Sequence, residues 1–287
     1  MAPAEPLLCW GRHDVEQRLG FRGGRFTKVN NWLALLLAIA ASVLFYVAIT
    51  FASQYTFSRY LTAITASFTQ RGPTPYVIVF FSWWALAILL LKWRKLAFQR
   101  KSLKYDVVPL DHDFVLSART ADQVVEGIHT VVDDPRNFIL FNRIMVALSN
   151  LKNLGRVTDI DETLRSQGEH DESAMETSFA LTRGLIWAIP VLGFIGTVLG
   201  LSEAIGGFSN VLATTSDVSL VLDALKGVTA GLATAFETTL QALVAALAIQ
   251  MLLTFLKKDE EEFLDGCSDY CLRRIVSRLR VMPYEQE

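Results

Sequence analysis

Glu237 raises the first chemical question. It stands in a long apolar stretch, Gly231–Leu256, beside Thr238 and Thr239, with Thr234 and Gln241 about one turn to either side. A carboxylate inside a bilayer costs about 2.5–3.5 kcal/mol on insertion scales, so its presence needs a reason. Two reasons fit. It can be a protonatable group at the outer mouth of an ion path, because desolvation raises a carboxyl pKa. It can equally be paired across a subunit boundary or hydrated in a vestibule. Glu203, near the outer end of the preceding apolar stretch, stays open between a functional role and simple reach to the interface. A threonine hydroxyl both donates and accepts, so two of them near a carboxylate can relay water-borne protons or replace part of an ion's hydration shell. A single Thr proves little, since Thr also serves helix packing in membranes.

The elements that would hold these side chains are Ile189–Phe208 and Gly231–Leu256, each apolar and about as long as the ~20 helical residues a bilayer crossing needs. At about 100° per residue, Gly193, Gly196, Thr197, Gly200 and Ala204 share one narrow face of the first, and Gly231, Ala235, Thr238, Ala242 and Ala246 share one face of the second. Small faces let backbones approach closely, which is what holds helices together where lipid removes the hydrophobic drive. A single protomer whose helices pack only on each other would satisfy the same spacing.

With 287 residues, 52% hydrophobic, the chain is a membrane protein by composition. Four runs are expected to span: Trp32–Phe51, Pro75–Leu91, Leu185–Ile205 and Val228–Leu256. Lys and Arg number five before the first run, two after it, thirteen between the second and third, one between the third and fourth, and six after the fourth. Positive charge collects on the cytoplasmic side, so both termini are expected there. The net charge of −2 and the scattered basic residues give no nucleic-acid signal. No nucleotide-binding glycine loop, zinc spacing or nucleophile elbow occurs, so the expectation is a non-enzyme without a bound cofactor. Cys9, Cys267 and Cys271 are expected to be reduced structural thiols.

The expected organisation is a basic N-terminal segment over 1–31 along the inner leaflet, two spans with a short outer loop over 32–95, a cytoplasmic helical domain over 96–184, the channel core over 185–256, and a cytoplasmic helix over 257–287. Within 96–184, Asp134-Pro135 separates a helix near Ala118–Val132 from one near Arg136–Leu154, which Gly155 closes. A third helix from about Thr158 meets no Gly or Pro between Ser173 and its next Gly, at 184, and is expected to run on into the third span. The last span is expected to continue as an amphipathic helix with Phe263, Leu264, Cys267, Cys271 and Leu272 on its apolar side.

The run Pro190, Gly193, Gly196, Thr197, Gly200, spaced Pro-x-x-Gly-x-x-Gly-Thr-x-x-Gly and followed by a Gly- and Thr-rich last helix, resembles the MotA/TolQ/ExbB family of ion-channel stator subunits. The resemblance covers about residues 180 to 260. It implies an all-α membrane protein whose copies form a cyclic ring, expected to be a homopentamer, in the bacterial inner membrane. The ring would surround the helices of a MotB/TolR/ExbD-like single-span subunit, expected in two copies, whose membrane Asp carries protons or sodium ions. Motif alignment implies that Thr197 and Thr239 line that path, joined by Thr238, Glu237 and Thr234. Pro190 would be a hinge, while Gly193, Gly196, Gly200 and Gly231 would pack the helices. Leu252 stands where the flagellar branch has a second proline, and Thr234 where the TolQ/ExbB branch tends to have Glu. The subfamily therefore stays unassigned. A structural scaffold without conduction and a self-contained channel are the competing functions.

Overall fold

Apolar residues on every side of a helix leave it no aqueous face, and four helices of this chain have that composition over lengths sufficient to cross a membrane. The structure, a computed structural model, describes residues 6–21, 23–55, 65–69, 72–109, 114–117, 119–154, 157–214 and 217–279. Arg22, Ala118 and Gly155 lie outside them. In chain order the helices are α1 (Trp10–His13), α2 (Val15–Arg18), α3 (Asn31–Tyr55), α4 (Thr74–Gln99), α5 (Ala121–Val131), α6 (Ile139–Leu154), α7 (Val157–Ser178), α8 (Ala180–Thr214) and α9 (Val218–Arg274). Among the described residues the only extended pairings are two isolated bridges, Leu8 with Val132 and Leu116 with Leu279.

The chain divides into two compact units. The apolar unit comprises Asn31–Leu89 and Ala180–Thr254. In it α3 meets α4 through Tyr46 stacked on Tyr76, with ring centroids 4.4 Å apart, and through Phe45 against Trp83. Ala34 and Ala38 are fully buried one turn apart on α3, while Leu36, Leu37, Val43, Leu44, Val47 and Phe51 are exposed. The first span thus presents lipid-type surface on most of its circumference. Phe194, Val198 and Leu199 of α8 and Phe236, Leu240, Leu243 and Leu247 of α9 are exposed as well. Apolar surface of this extent suits hydrocarbon or another protein surface, not water.

The polar unit gathers Met1–Asn30, Leu90–Phe179 and Phe255–Glu287. Three sequence stretches expected to act separately share one core here. Phe138, just before α6, and the periodic residues Phe141, Ile144 and Leu148 of α6 are buried with Val124 and Ile128 of α5, Ile160 and Leu164 of α7, and Phe263, Cys267 and Cys271 of α9. The Asp134-Pro135 break falls where expected: Asp134 accepts the Arg136 amide, a single 3-10 turn follows, and α6 starts at Ile139. Burial pushes both thiols up, that of Cys271 to about 12, with the neighbouring Arg143 opposing the rise. All three cysteines are free.

Two expectations need correction. The N-terminal segment is not merely a basic strip along the inner leaflet. Leu8 donates its amide to the Val131 carbonyl at 2.8 Å, Trp10 packs edge-on against Phe138 at 5.4 Å, and Glu16 is wholly buried. Its apolar residues outweigh its charges because the core offers them partners. The third cytoplasmic helix also does not run unbroken into the third span. It pauses at Phe179, a fully buried ring between α7 and α8 whose amide reaches back only three residues, to Glu176.

The polar unit buries charge as well as apolar surface. Lys92 donates to Glu260 at 2.6 Å and stands 3.9 Å over the Phe179 ring, and Thr27 donates to the other oxygen of Glu260. Lys95 donates to Glu16 at 2.7 Å and to the Lys28 carbonyl at 2.9 Å. Arg143 holds Asp171 at 2.6 Å and Ser268 at 3.0 Å. Burial nevertheless raises the Asp171 carboxyl, and the guanidinium only partly offsets it. A carboxylate from a distant segment thus neutralises each of Lys92 and Lys95.

Candidate functional site

The glycine faces of α8 and α9 meet in the apolar unit. A Cβ placed on Gly193 would lie 2.5 Å from the Ala242 methyl and 3.2 Å from the Thr239 Cα; one on Gly231 would lie 2.5 Å from the Ala204 methyl. At Gly200 the nearest neighbours are the Gly231 carbonyl at 3.4 Å and Ala235. Carbon atoms pack best at about 3.5–4.0 Å, so Gly193 and Gly231 admit no side chain without the helices parting, whereas a Cβ at Gly200 would make only ordinary contacts. Gly196 is closed from two directions, by the Thr74 methyl at the start of α4 and by the Thr238 hydroxyl. Sequence reasoning missed Thr74, because a residue ending an outer loop carries no packing signal.

That close approach brings Thr197 and Thr239 together. Their hydroxyls are hydrogen-bonded to each other, with either able to donate. Thr239 also reaches the Gly193 carbonyl at 3.0 Å, while Thr197 reaches the carbonyls of Gly193 and Ala235, each at 3.2 Å. Thr238, almost fully buried, donates to the same Ala235 carbonyl at 3.0 Å. Two hydroxyl protons are thus shared among two carbonyl oxygens and two hydroxyl oxygens. Each hydroxyl carries one proton and two lone pairs, so more than one donor pattern satisfies the same heavy-atom positions. Switching between patterns requires only hydroxyl rotation, which is what a relay of water-borne protons uses. Both side chains remain half-buried in the single chain, so the pair is within reach of a molecule placed against this face.

The remaining predicted residues lie elsewhere. Glu237 is half-buried, and at about 100° per residue it sits about 160° round α9 from Thr239 and from the packed Ala235. Adjacency in sequence therefore does not bring it to the threonine pair. Thr234 bonds back to the Ala230 carbonyl at 3.0 Å and lines an open cleft of about 600 Å³ with Glu203, Gly196, Gly200 and Gly231. Glu203 is exposed on α8. Pro190 lies inside α8, which continues through it although the proline ring removes the amide that would bond back to Ile186. Among the described residues no group of three or more His, Cys, Asp or Glu is placed to hold a metal ion.

No curated protein and no solved structure matches the chain. Four apolar helices of crossing length, the last two packed through glycine faces, describe a multi-pass membrane protein. A family model does match, over residues 136–267, a little under half of the chain but including all of α8 and the whole threonine network. The family it describes is the MotA/TolQ/ExbB proton channel family, the one that the glycine and threonine motif resembles, and the chain is similar to it over that stretch.

Proposed function

We propose that this chain is the ring-forming subunit of an ion-driven stator. Five copies surround two copies of a MotB/TolR/ExbD-like single-span protein in the bacterial inner membrane, with both termini of this chain in the cytoplasm. An Asp on the partner's helix carries protons or sodium ions past the α8–α9 face, and the ion flow turns ring against partner. The observation that supports this reading most is the Thr197–Thr239 pair, two interchangeable hydroxyls held inside an apolar unit, within the family-matched stretch. Thr238 completes the polar lining, with Glu237 and Thr234 serving the outer part of the path. No enzymatic step and no cofactor enters this reading.

A scaffold without conduction is the alternative. What favours it is that the same hydroxyls bond to the Gly193 and Ala235 carbonyls and so also tie two helices together. Co-reconstitution with a single-span protein bearing a membrane Asp separates the two. A stator loses ion flux when Thr239 is replaced by Val or Thr197 by Ala, while the complex still assembles; a scaffold has no partner-dependent flux to lose. Flux from this chain alone, without any partner, would overturn the stator reading in favour of a self-contained channel.

A further inference from the structure

The inner end of α4 and the 3-10 turn that follows it carry five cations between residues 92 and 101, and the polar unit treats them unequally. Lys92 is held by Glu260 and Lys95 by Glu16, both at 2.6–2.7 Å, and Arg100 by Asp259 at 3.1 Å. Arg94 and Lys101 have no carboxylate partner among the described residues, and both line the same cavity of about 210 Å³. Aromatic faces complete its wall. His13 stacks on Phe98 at 4.3 Å, Lys101 stands 5.7 Å over the same ring, and Trp10 meets it at 5.7 Å. Trp93, 54% exposed, forms the rim. Asp14, 5% exposed, also lines the cavity; its charge is met by Lys95 at 3.7 Å, yet its Oδ2 accepts no hydrogen bond.

We infer that this cavity binds the headgroup of an anionic glycerophospholipid of the inner leaflet. Its position argues for lipid. The second apolar run ends at Leu91, so Trp93 and Arg94 fall at headgroup depth, where an exposed indole beside unpaired cations is the usual interfacial arrangement. Basic pockets at this level take lipid phosphates. Arg94 and Lys101 would share the phosphate, and the Asp14 oxygen that accepts no hydrogen bond at the cavity wall would accept a hydroxyl, which makes a glycerol headgroup the best match. This goes beyond ion transfer and does not depend on it.

Native mass spectrometry of the full chain, titrated with phosphatidylglycerol, phosphatidylcholine or soluble glycerol phosphate, tests the site. Phosphatidylglycerol is expected to be retained in preference to phosphatidylcholine, and R94Q/K101Q to weaken that retention about thirty-fold, two surface cations' worth. The exposed pair R12Q/R18Q serves as the control for general attraction of a basic segment and is expected to change nothing. R94K/K101R keeps both charges and is expected to retain the lipid, which separates loss of the site from loss of fold. Unchanged retention in R94Q/K101Q, or an equal loss in R12Q/R18Q, overturns the proposal. Glycerol phosphate binding as tightly as the lipid overturns it too, in favour of a site for a free phosphate.

Discussion

Adding one methyl group at Gly193 should open the α8–α9 contact by a calculable amount. The new Cβ would stand 2.5 Å from the Ala242 Cβ, against an optimum of about 3.5–4.0 Å, so the helices must part there by about 1 Å or more. The Thr239 hydroxyl now reaches the Gly193 carbonyl at 3.0 Å; an added ångström carries that bond past any useful hydrogen-bond length. Gly193→Ala is therefore expected to lower stability by about 1–3 kcal/mol, the usual range for overpacking. It should also abolish partner-dependent ion flux, because the Thr197–Thr239 pair separates with the helices. The compensating change is Ala242→Gly, which removes the closest atom but leaves the Thr239 Cα at 3.2 Å. The double variant should thus recover most, not all, of the stability. Thermal unfolding in detergent gives the stability and a proteoliposome assay the flux. If G193A unfolds like the unaltered protein, or if A242G adds to the damage instead of relieving it, the close-packed geometry described here is wrong.

Removing one member of the buried Lys92–Glu260 pair should be costly. Lys92→Met leaves Glu260 with Thr27 alone, an expected loss of about 3–5 kcal/mol in chemical denaturation. Lys92→Met with Glu260→Leu should recover much of it, since no charge is then left buried. Thr239→Ser should retain ion flux and Thr239→Val lose it, measured in the same proteoliposomes, because only the former keeps a hydroxyl against Gly193 and Thr197. Alkali should destabilise the polar unit. Cys267 and Cys271 have folded-state pKa values raised by burial, so their contribution is present below the unfolded value near 9 and is lost as pH rises from there toward about 12. Maleimide should correspondingly label Cys9 first, and the other two only on unfolding.

The helices themselves were legible because their causes are local. Uniform apolarity marked α3, α4, α8 and the first part of α9; Asp134-Pro135 marked the start of α6; and the i, i+3, i+4 spacing of Phe138, Phe141, Ile144 and Leu148 marked its buried face. What stayed hidden depends on segments far apart in sequence. Nothing in Lys257-Lys258-Asp259-Glu260-Glu261-Glu262 singles out Glu260 as the one carboxylate buried against Lys92, because helical phase alone cannot say which element packs on which side. Trp10 and Glu16 were hidden for the same reason, since a short basic segment with one Trp looks alike whether it lies on a membrane or fills a core. The one-residue turn at Phe179 was hidden because neither Gly nor Pro marks it; the ring there is fully buried with the Lys92 ammonium over its face.

At the candidate site the glycine spacing was informative and the carboxylate was not. Small residues at 193, 196 and 200 report a close contact whatever the partner, so the face could be read before its neighbours were known. Glu237 drew attention because a charge in an apolar stretch is expensive, but expense says only that the charge is accommodated, not where. Helix geometry then decides. Thr239, two positions on, points into the α8 contact, and Glu237 is carried about 160° away from it. The two features therefore test different parts of the mechanism. A flux defect in Thr239→Val concerns the relay between helices, whereas one in Glu237→Gln would concern whatever approaches α9 from its far side. If Glu237→Gln and Thr239→Val together lower flux by less than the product of their separate factors, the two share a path that the single chain does not reveal. If the factors simply multiply, the carboxylate acts on its own face.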